Sequence, residues 1–164
     1  MTRLGDGTAV GKHDPRVAAL GAVDELNASL GLARAMVDDQ GLDDRVAGVQ
    51  RDLIAIGGIL SMAEDAGTAL DVVRLERWID EGDAVLRPLK GFVLPGGCEL
   101  AARFHVARTV CRRAERAVVA AAGYGQAPAS GVAYLNRLSA LLFGWARLAN
   151  RDAGRSDASA DEPF

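Results

Sequence analysis

The sequence has 164 residues, of which 49% are hydrophobic, 25% charged and 5% aromatic. This is sufficient for one globular domain, and the scarcity of aromatic residues favours closely packed helices over a β-sandwich. A net charge of −3 argues against nucleic-acid binding, and we expect neither a membrane span nor a signal peptide. Cys98 and Cys111 match neither a metal pair nor a disulfide framework, so reduced thiols in the cytoplasm are expected.

Residues 1–14 are rich in glycine and polar residues and are predicted to form a loop. The Gly11-Lys12 pair is not a P-loop, because Asp6 and His13 stand where that motif needs a glycine and a hydroxyl residue. A first helix is predicted from an Asp14 N-cap to about residue 37.

Asp24 lies at the edge of the apolar arc of this helix, and Asn27 lies inside the arc. A carboxylate beside an apolar seam is costly unless it has a cationic partner. Arg16 and Lys12 are the partners available nearby in the same chain.

Apolar spacing predicts a second helix from residue 42 to about residue 63, after a break at Gly41, and a third from residue 70 to about residue 86. Residues 64–69 are predicted to form a turn. Residues 90–97 cannot be helical through their Pro-Gly-Gly end. Phe92 in this loop is either a core plug or the wall of an apolar pocket, and the pattern alone favours the plug.

A fourth helix is predicted over residues 99–122. Its expected apolar side comprises Val106, Val110, Cys111, Ala114, Ala117 and Val118. Arg108, Arg112 and Glu115 stack on the opposite side, flanked by His105 and Arg116. Guanidinium groups suit phosphate or carboxylate oxygens, although a solvated helix face trimmed by ion pairs explains the same pattern.

A fifth helix is predicted over about residues 131–151, with Asn136, Ala140, Phe143 and Arg147 pointing away from its apolar face. Residues 1–151 would form one helical-bundle domain, and residues 152–164 are predicted to be a disordered tail.

Four segments resemble the PduO-type ATP:corrinoid adenosyltransferases in order and spacing. They are KHDPR with VDELN (12–16 and 23–27), KGFVLPGG (90–97), the helix of residues 105–119 and YLNRLS (134–139). The resemblance covers the chain from about Leu4 to Asn150. It implies an all-α, five-helix bundle of the ferritin-like type that assembles as a homotrimer with active sites between subunits.

The resemblance also implies an activity, transfer of the 5′-deoxyadenosyl group of ATP to Co(I) of a reduced corrinoid, with release of triphosphate. The family's ATP-binding residues correspond to Thr2, Lys12, Arg112, Arg113, Glu115, Arg116 and Asn136. The catalytic set corresponds to Arg112, Arg108 and Asp24, with Asp24 and Arg108 paired across the subunit boundary. Phe92 would approach the lower face of the corrin and keep the dimethylbenzimidazole base off cobalt.

The substrates and partners implied are ATP, cobalamin or a precursor corrinoid, and a possible reductase or B12-dependent enzyme. Mg²⁺ is expected with ATP, bound through phosphate and water rather than at a protein metal site.

Two alternatives to the adenosyltransferase activity arise from the sequence, a non-catalytic member of the same fold and a carboxylate-bridged metal protein. Counting back from Lys12 leaves no match for the family's N-terminal phosphate-binding segment, so we expect a start codon upstream. The same feature supports a non-catalytic corrinoid- or nucleotide-binding member of the fold. A carboxylate-bridged metal protein is rejected, because neither His13 nor His105 follows a glutamate by three residues.

Overall fold

The computed structural model describes residues 1–62, 70–89, 91–123 and 129–159. Within these ranges the chain forms five helices and one short hairpin, which confirms the predicted five-helix fold. The helices are α1 (Pro15–Arg34), α2 (Gln40–Met62), α3 (Val72–Asp83), α4 (Glu99–Gly123) and α5 (Ala129–Asp152). Strand β1 (Thr2–Arg3) pairs antiparallel with β2 (Ala9–Val10). Among the described residues, no helix combines the length and apolar character of a membrane span.

The core is built around α4, which packs against both α1 and α5, while α2 packs on α1 and α3 on α5. The buried cluster draws large side chains from several helices, including Leu26, Leu53, Phe104 and Leu138. One stripe of α4 is lined by small side chains, because Ala101, Ala107, Ala114 and Ala121 are all fully buried, whereas Phe104 beside this stripe is large. Small residues at a helix contact let the neighbouring helix axes approach closely.

The N-terminal segment differs from the predicted loop, since it forms a hairpin anchored to the bundle. The side chains of its own residues Leu4 and Val10 are buried. Gly7 takes a φ of 83° in the turn, where Leu4 N donates to Thr8 O at 3.0 Å. Gly5 N donates to Ser61 Oγ of α2 at 2.7 Å. The hairpin therefore belongs to the α1–α2 side of the molecule.

Several helix ends differ from the predicted ones because of local hydrogen bonds. Helix α1 ends at Arg34 rather than residue 37, since the amides of Met36 and Val37 bond three residues back and tighten the chain into a turn. Asp39 Oδ1 accepts from Leu42 N at 2.7 Å, so α2 begins at residue 40, before the expected glycine break. The Asp71 cap similarly starts α3 at residue 72, and α3 ends at residue 83. The turn predicted over residues 64–69 lies outside the described residues.

Residues 153–159 differ from the predicted disordered tail, because they return along the loop between α3 and α4. Asp157 Oδ2 lies 2.7 Å from Arg147 Nε. Leu94 N donates to Ala158 O at 2.9 Å, and Val93 forms an antiparallel bridge with Ser159. We refer to residues 153–159 as the strap. Residues 160–164 lie outside the described part of the chain.

Asn150, buried near the end of α5, holds the Pro-Gly-Gly end of the α3–α4 loop. Its Oδ1 accepts from Cys98 N at 2.9 Å, and its Nδ2 donates to Gly96 O at 3.1 Å. Gly97 lies directly over this amide with a φ of 109°. A Cβ atom on Gly97 would lie 1.9 Å from Asn150 Oδ1. Both the backbone conformation and the space therefore require glycine here.

Replacement of Gly97 by alanine is expected to lower the free energy of unfolding by about 2 kcal/mol, because alanine adds backbone strain and displaces the Asn150 amide. Gly96→Ala is the matched control, since a Cβ there would have no atom within 4 Å. Urea unfolding of both variants and the native chain measures the difference. Equal destabilisation by the two substitutions would contradict this account of Gly97.

Candidate active site

The predicted charged face of α4 meets α5 through Glu115. This side chain is only 15% exposed, whereas that of Arg112 is 53% exposed. Asn136 Nδ2 of α5 donates to Glu115 Oε1 at 2.9 Å, and Arg112 Nη1 lies 3.6 Å from Glu115 Oε2. The two carboxylate oxygens thus hold one predicted site residue each. The structure brings together Arg112, Glu115 and Asn136, and we call them the carboxylate network.

The other two arginines in this part of α4 point differently. Arg113 Nη2 lies 2.5 Å from Glu25 Oε2 of α1, which turns its side chain toward the α1 side of α4. Arg116 is exposed and has no ion pair within the described residues. Arg116 therefore keeps its donors available to an external anion, while those of Arg113 are partly engaged.

Arg108 is partly buried where α4 meets α5. Its guanidinium carbon lies 5.9 Å from the centre of the Phe143 ring, and its Nε atom is buried without a hydrogen-bond partner. The ring supplies a cation–π contact but no acceptor. A buried guanidinium nitrogen without an acceptor is costly, so this site has capacity for one more polar partner.

Asp24 does not supply that partner from the same chain. It lies exposed on a groove of about 490 Å³ between α1 and α2, lined also by Val17, Leu20 and Ile54. Neither cation suggested by the sequence forms an ion pair with Asp24 among the described residues: Arg16 Nε lies 3.5 Å from Asp14 Oδ1, and Lys12 is exposed without an ion pair. Asp24 and Arg108 are therefore on different sides of one chain.

Thr2 and Lys12 also lie apart from the α4 arginines. The backbone of Thr2 pairs with Val10 in the hairpin, and Lys12 is exposed between β2 and α1. Within the described ranges neither residue makes a hydrogen bond or an ion pair with α4. Both belong to the α1–α2 side, as Asp24 does.

Phe92 is 84% exposed, so the core-plug interpretation is wrong. It projects from the α3–α4 loop beside Val93, the residue that bridges to the strap. The neighbouring Leu94 is also exposed. An aromatic side chain presented in this way suits the wall of an apolar binding site. Lys90, in the same loop, lies outside the described residues.

The predicted faces of α4 are wrong at two adjacent positions. His105, expected beside the arginines, is 2% exposed, and Val106, expected in the core, is 58% exposed. The Phe143 ring of α5 lies 6.1 Å from the His105 ring and covers it. The helical period of α4 alone could not show that a side chain from α5 packs over His105.

Sequence reasoning also missed polar contacts that link α5 to other elements. Arg147, expected to point away from the apolar face, is buried and paired with Asp157. Tyr134 donates a hydrogen bond to Asp52, which also pairs with Arg74. No local sequence signal marks these contacts, because each joins residues from separate elements.

A family model described as "Cobalamin adenosyltransferase" matches residues 1–149. A protein of Cupriavidus metallidurans named cobalamin adenosyltransferase is 45% identical over 161 residues, which cover 95% of this chain and 86% of that protein. The corrinoid adenosyltransferase of Mycobacterium tuberculosis is 43% identical over 167 residues, covering 92% and 84% of the two chains.

Solved structures of a PduO-type ATP:corrinoid adenosyltransferase from Lactobacillus reuteri share the fold. A phenylalanine-to-alanine variant complexed with cobalamin and ATP has a TM-score of 0.90 at 35% identity, covering 98% of this chain and 94% of that chain. An arginine-to-lysine variant complexed with ATP has a TM-score of 0.89 at 36% identity, covering 96% and 93%.

The buried His105 generates a prediction about pH. Burial lowers its pKa below the ordinary 6.5, the charge of Arg108 lowers it further, and Asp157 opposes both effects. As the pH falls from 6.5 toward the folded-state pKa, the unfolded chain binds a proton that the folded chain does not. The free energy of unfolding should therefore decrease with falling pH, by at most about 1.4 kcal/mol per pH unit from this residue.

His105→Gln is expected to weaken this pH dependence, as measured by urea unfolding between pH 7.5 and pH 5. His13, the other histidine of the sequence, is exposed, and His13→Gln is the control. An unchanged slope in His105→Gln would show that His105 does not carry the effect.

Proposed function

The chain belongs to the cobalamin adenosyltransferase family, and on this basis we propose that it transfers the 5′-deoxyadenosyl group of ATP to Co(I) of a reduced corrinoid. The products are an adenosylated corrinoid, such as adenosylcobalamin, and inorganic triphosphate. The observation that carries the proposal is the carboxylate network on the arginine-bearing face of α4. The relatives named as adenosyltransferases favour this activity over the non-catalytic alternative.

The proposed reaction needs no nucleophile from the protein. The electron pair of Co(I) forms a bond to C5′ of ATP while the C5′–O bond breaks. The electron pair of the C5′–O bond leaves with triphosphate. Cys111, the cysteine on α4, is unsuited to compete, because burial raises the pKa of its thiol and its Sγ contacts Leu135 O at 3.2 Å. The tasks left to the chain are positioning the substrates and stabilising the departing anion.

The α4 arginines are proposed to bind the triphosphate. Arg112 and Arg116 are exposed and offer planar donor forks. Arg113 would add charge from the α1 side. Glu115 would orient Arg112 and Asn136, the latter to contact the nucleotide, because its two oxygens already hold these side chains apart.

Mg²⁺ is proposed to accompany ATP. Among the described residues, no group of three or more histidine, cysteine or acidic side chains could hold a metal ion. The acids beside the proposed triphosphate-binding arginines are already engaged, Glu115 by Arg112 and Asn136 and Glu25 by Arg113. The donors therefore do not fit a protein metal cage, and the ion would be bound by phosphate oxygens and water.

We propose that the chain acts as a homotrimer with active sites between subunits. Asp24, Thr2 and Lys12 lie on the α1–α2 side, and Arg108 with the carboxylate network lies where α4 meets α5. A site that uses both sets needs the first from one subunit and the second from its neighbour. The unpartnered Arg108 Nε and the unpaired Asp24 would then satisfy each other.

Phe92 is proposed to approach the lower face of the corrin, where it would keep the dimethylbenzimidazole base off cobalt. Its 84% exposure supports this role, since it is free to contact a ligand. A cytoplasmic location and a reductase that supplies Co(I) belong to the same proposal.

The activity is tested by an anaerobic assay with chemically reduced cobalamin, ATP and Mg²⁺, in which the Co(I) spectrum is lost as adenosylcobalamin forms. Arg112→Ala is expected to lower the rate by about 10²- to 10³-fold, because a donor to the leaving group is lost. Arg103→Ala is the matched control on α4, where Arg103 Nε donates to Glu99 Oε1 at 3.1 Å within the first turns of the helix. A folded but inactive native chain would contradict the proposed reaction, and equal effects of the two substitutions would contradict the role of Arg112.

The shared site is tested by complementation. Asp24→Ala and Arg112→Ala chains are each expected to have strongly reduced activity alone. When they are co-expressed with different tags and purified through both tags, activity should return. In a mixed trimer, one boundary joins the intact Asp24 side of one chain to the intact Arg112 side of the other.

Glu25→Ala is the control for the Asp24 substitution, because Glu25 pairs with Arg113 of its own chain. Its co-expression with Arg112→Ala should give no more activity than Glu25→Ala subunits contribute by themselves. Mixed assemblies of Asp24→Ala and Arg112→Ala that stay inactive would show that the two residues do not contribute to one shared site.

A further inference from the structure

We infer that Arg147 is a positioning residue for the corrinoid side of the reaction, acting through Asp157 and the strap on the loop that carries Phe92. This inference rests on the proposed function for its kinetic consequence. Neither Arg147 nor Asp157 belongs to the segments by which the chain resembles the family. Their role follows from their contacts.

Arg147 is a buried cation that contacts both the strap and the α3–α4 loop. Its side chain is 8% exposed. Its Nε atom donates to Asp157 Oδ2 at 2.7 Å, and its Nη2 atom donates to Arg87 O at 2.6 Å. Asp157 lies in the strap, and Arg87 lies at the start of the α3–α4 loop. One guanidinium therefore ties the strap and the loop to α5.

The strap in turn holds the loop beside Phe92. Leu94 N donates to Ala158 O at 2.9 Å, and Val93 bridges to Ser159. Phe92 precedes Val93 directly, and its exposed ring gains little from packing against its own chain. The position of this ring must therefore come from the backbone of its loop, which the strap holds at Val93 and Leu94 and which Arg147 holds at Arg87.

The remaining face of the Arg147 guanidinium lies on the aromatic ring that also contacts Arg108. Both guanidinium carbons are 5.9 Å from the centre of the Phe143 ring. The carboxylate network makes no hydrogen bond to Arg147 or the strap within the described residues. Loss of the Arg147–Asp157 pair should therefore affect the corrinoid and leave the binding of ATP nearly unchanged.

A buried ion pair also has a purely structural interpretation, in which it only stabilises the end of α5. That interpretation predicts a lower free energy of unfolding with unchanged kinetic constants for the protein that remains folded. The two interpretations are separated by the Michaelis constants for the two substrates, measured below the unfolding temperature of each variant.

The variants are Arg147→Met, which removes the donors but keeps the length, Asp157→Asn, which removes the charge of the partner, and Arg147→Lys, which keeps the cation. Arg151→Met is the matched control, because Arg151 is an exposed arginine of the same helix paired with Asp152. Arg147→Met and Asp157→Asn are expected to raise the KM for reduced cobalamin about tenfold, the effect of one charge-assisted hydrogen bond. The KM for ATP should stay unchanged, and Arg147→Lys should recover part of the loss.

An unchanged KM for cobalamin, or equal increases for cobalamin and ATP, would overturn the inference. Should Arg147→Met fail to fold, Asp157→Asn decides, because it leaves the volume of the buried pair intact.

A second measurement separates this inference from the proposed function. Hydrogen exchange of the amides of residues 91–98 should be faster in Asp157→Asn than in the native chain and unchanged in Arg151→Met. An inactive native chain would refute the proposed function and the role toward corrinoid together, and exchange would still decide whether the pair positions the loop. Unchanged exchange in Asp157→Asn would overturn the positioning role itself.

Discussion

The close packing of α4 between α1 and α5 is the constraint on which the rest of the structure depends. The small side chains of Ala101, Ala107, Ala114 and Ala121 form its inward stripe and are fully buried. Bulky side chains do not fit where helix axes approach closely, and an overpacked contact costs about 1–3 kcal/mol. The stripe therefore leaves no room for an arginine, and the arginines of α4 lie on its other sides, where Arg112 and Arg116 are exposed and Arg108 is partly buried against α5. The position of the charged face is a consequence of how little space the inward face leaves.

Glu115 is an acid within this charged face, and its effect is to order the neighbouring side chains rather than to attract an anion. Its negative charge reduces the attraction of the face for an anion. Its two oxygens, however, contact side chains from two helices, Arg112 of α4 and Asn136 of α5. A flexible arginine in solvent loses rotamer entropy when it binds a ligand. An arginine already held by a carboxylate loses less, so the network exchanges some electrostatic attraction for pre-organisation.

Much of the helical architecture could be predicted from the sequence, because its signals are local. Asp14 followed by proline is a helix start, and the structure has Asp14 Oδ1 accepting from Arg16 N at 2.8 Å. The spacing of Arg112 and Glu115 correctly predicted that they share one face of α4, but Glu115 is turned against α5 and is only 15% exposed. The resemblance of the quoted segments also anticipated the fold that the comparisons show.

Contacts between distant elements could not be predicted in this way. Whether His105 or Val106 is buried depends on Phe143, which lies on another helix. The order in residues 153–159 depends on Arg147 and Asn150, whose polar groups give no helical or strand period of their own. The placement of Asp24 relative to Arg108 depends on a second chain in the proposed assembly, so neither the sequence nor a single chain determines it.

The location of Asp24 on one side of the chain and Arg108 on another has a consequence for symmetry. A contact between two unlike surfaces is heterologous, and such contacts close on themselves only in a ring. A two-fold dimer uses the same surface patch twice, so it would match these two groups only if both lay in that one patch. The proposed catalyst is therefore the closed ring rather than the folded chain, and its number of complete sites depends on protein concentration through mass action.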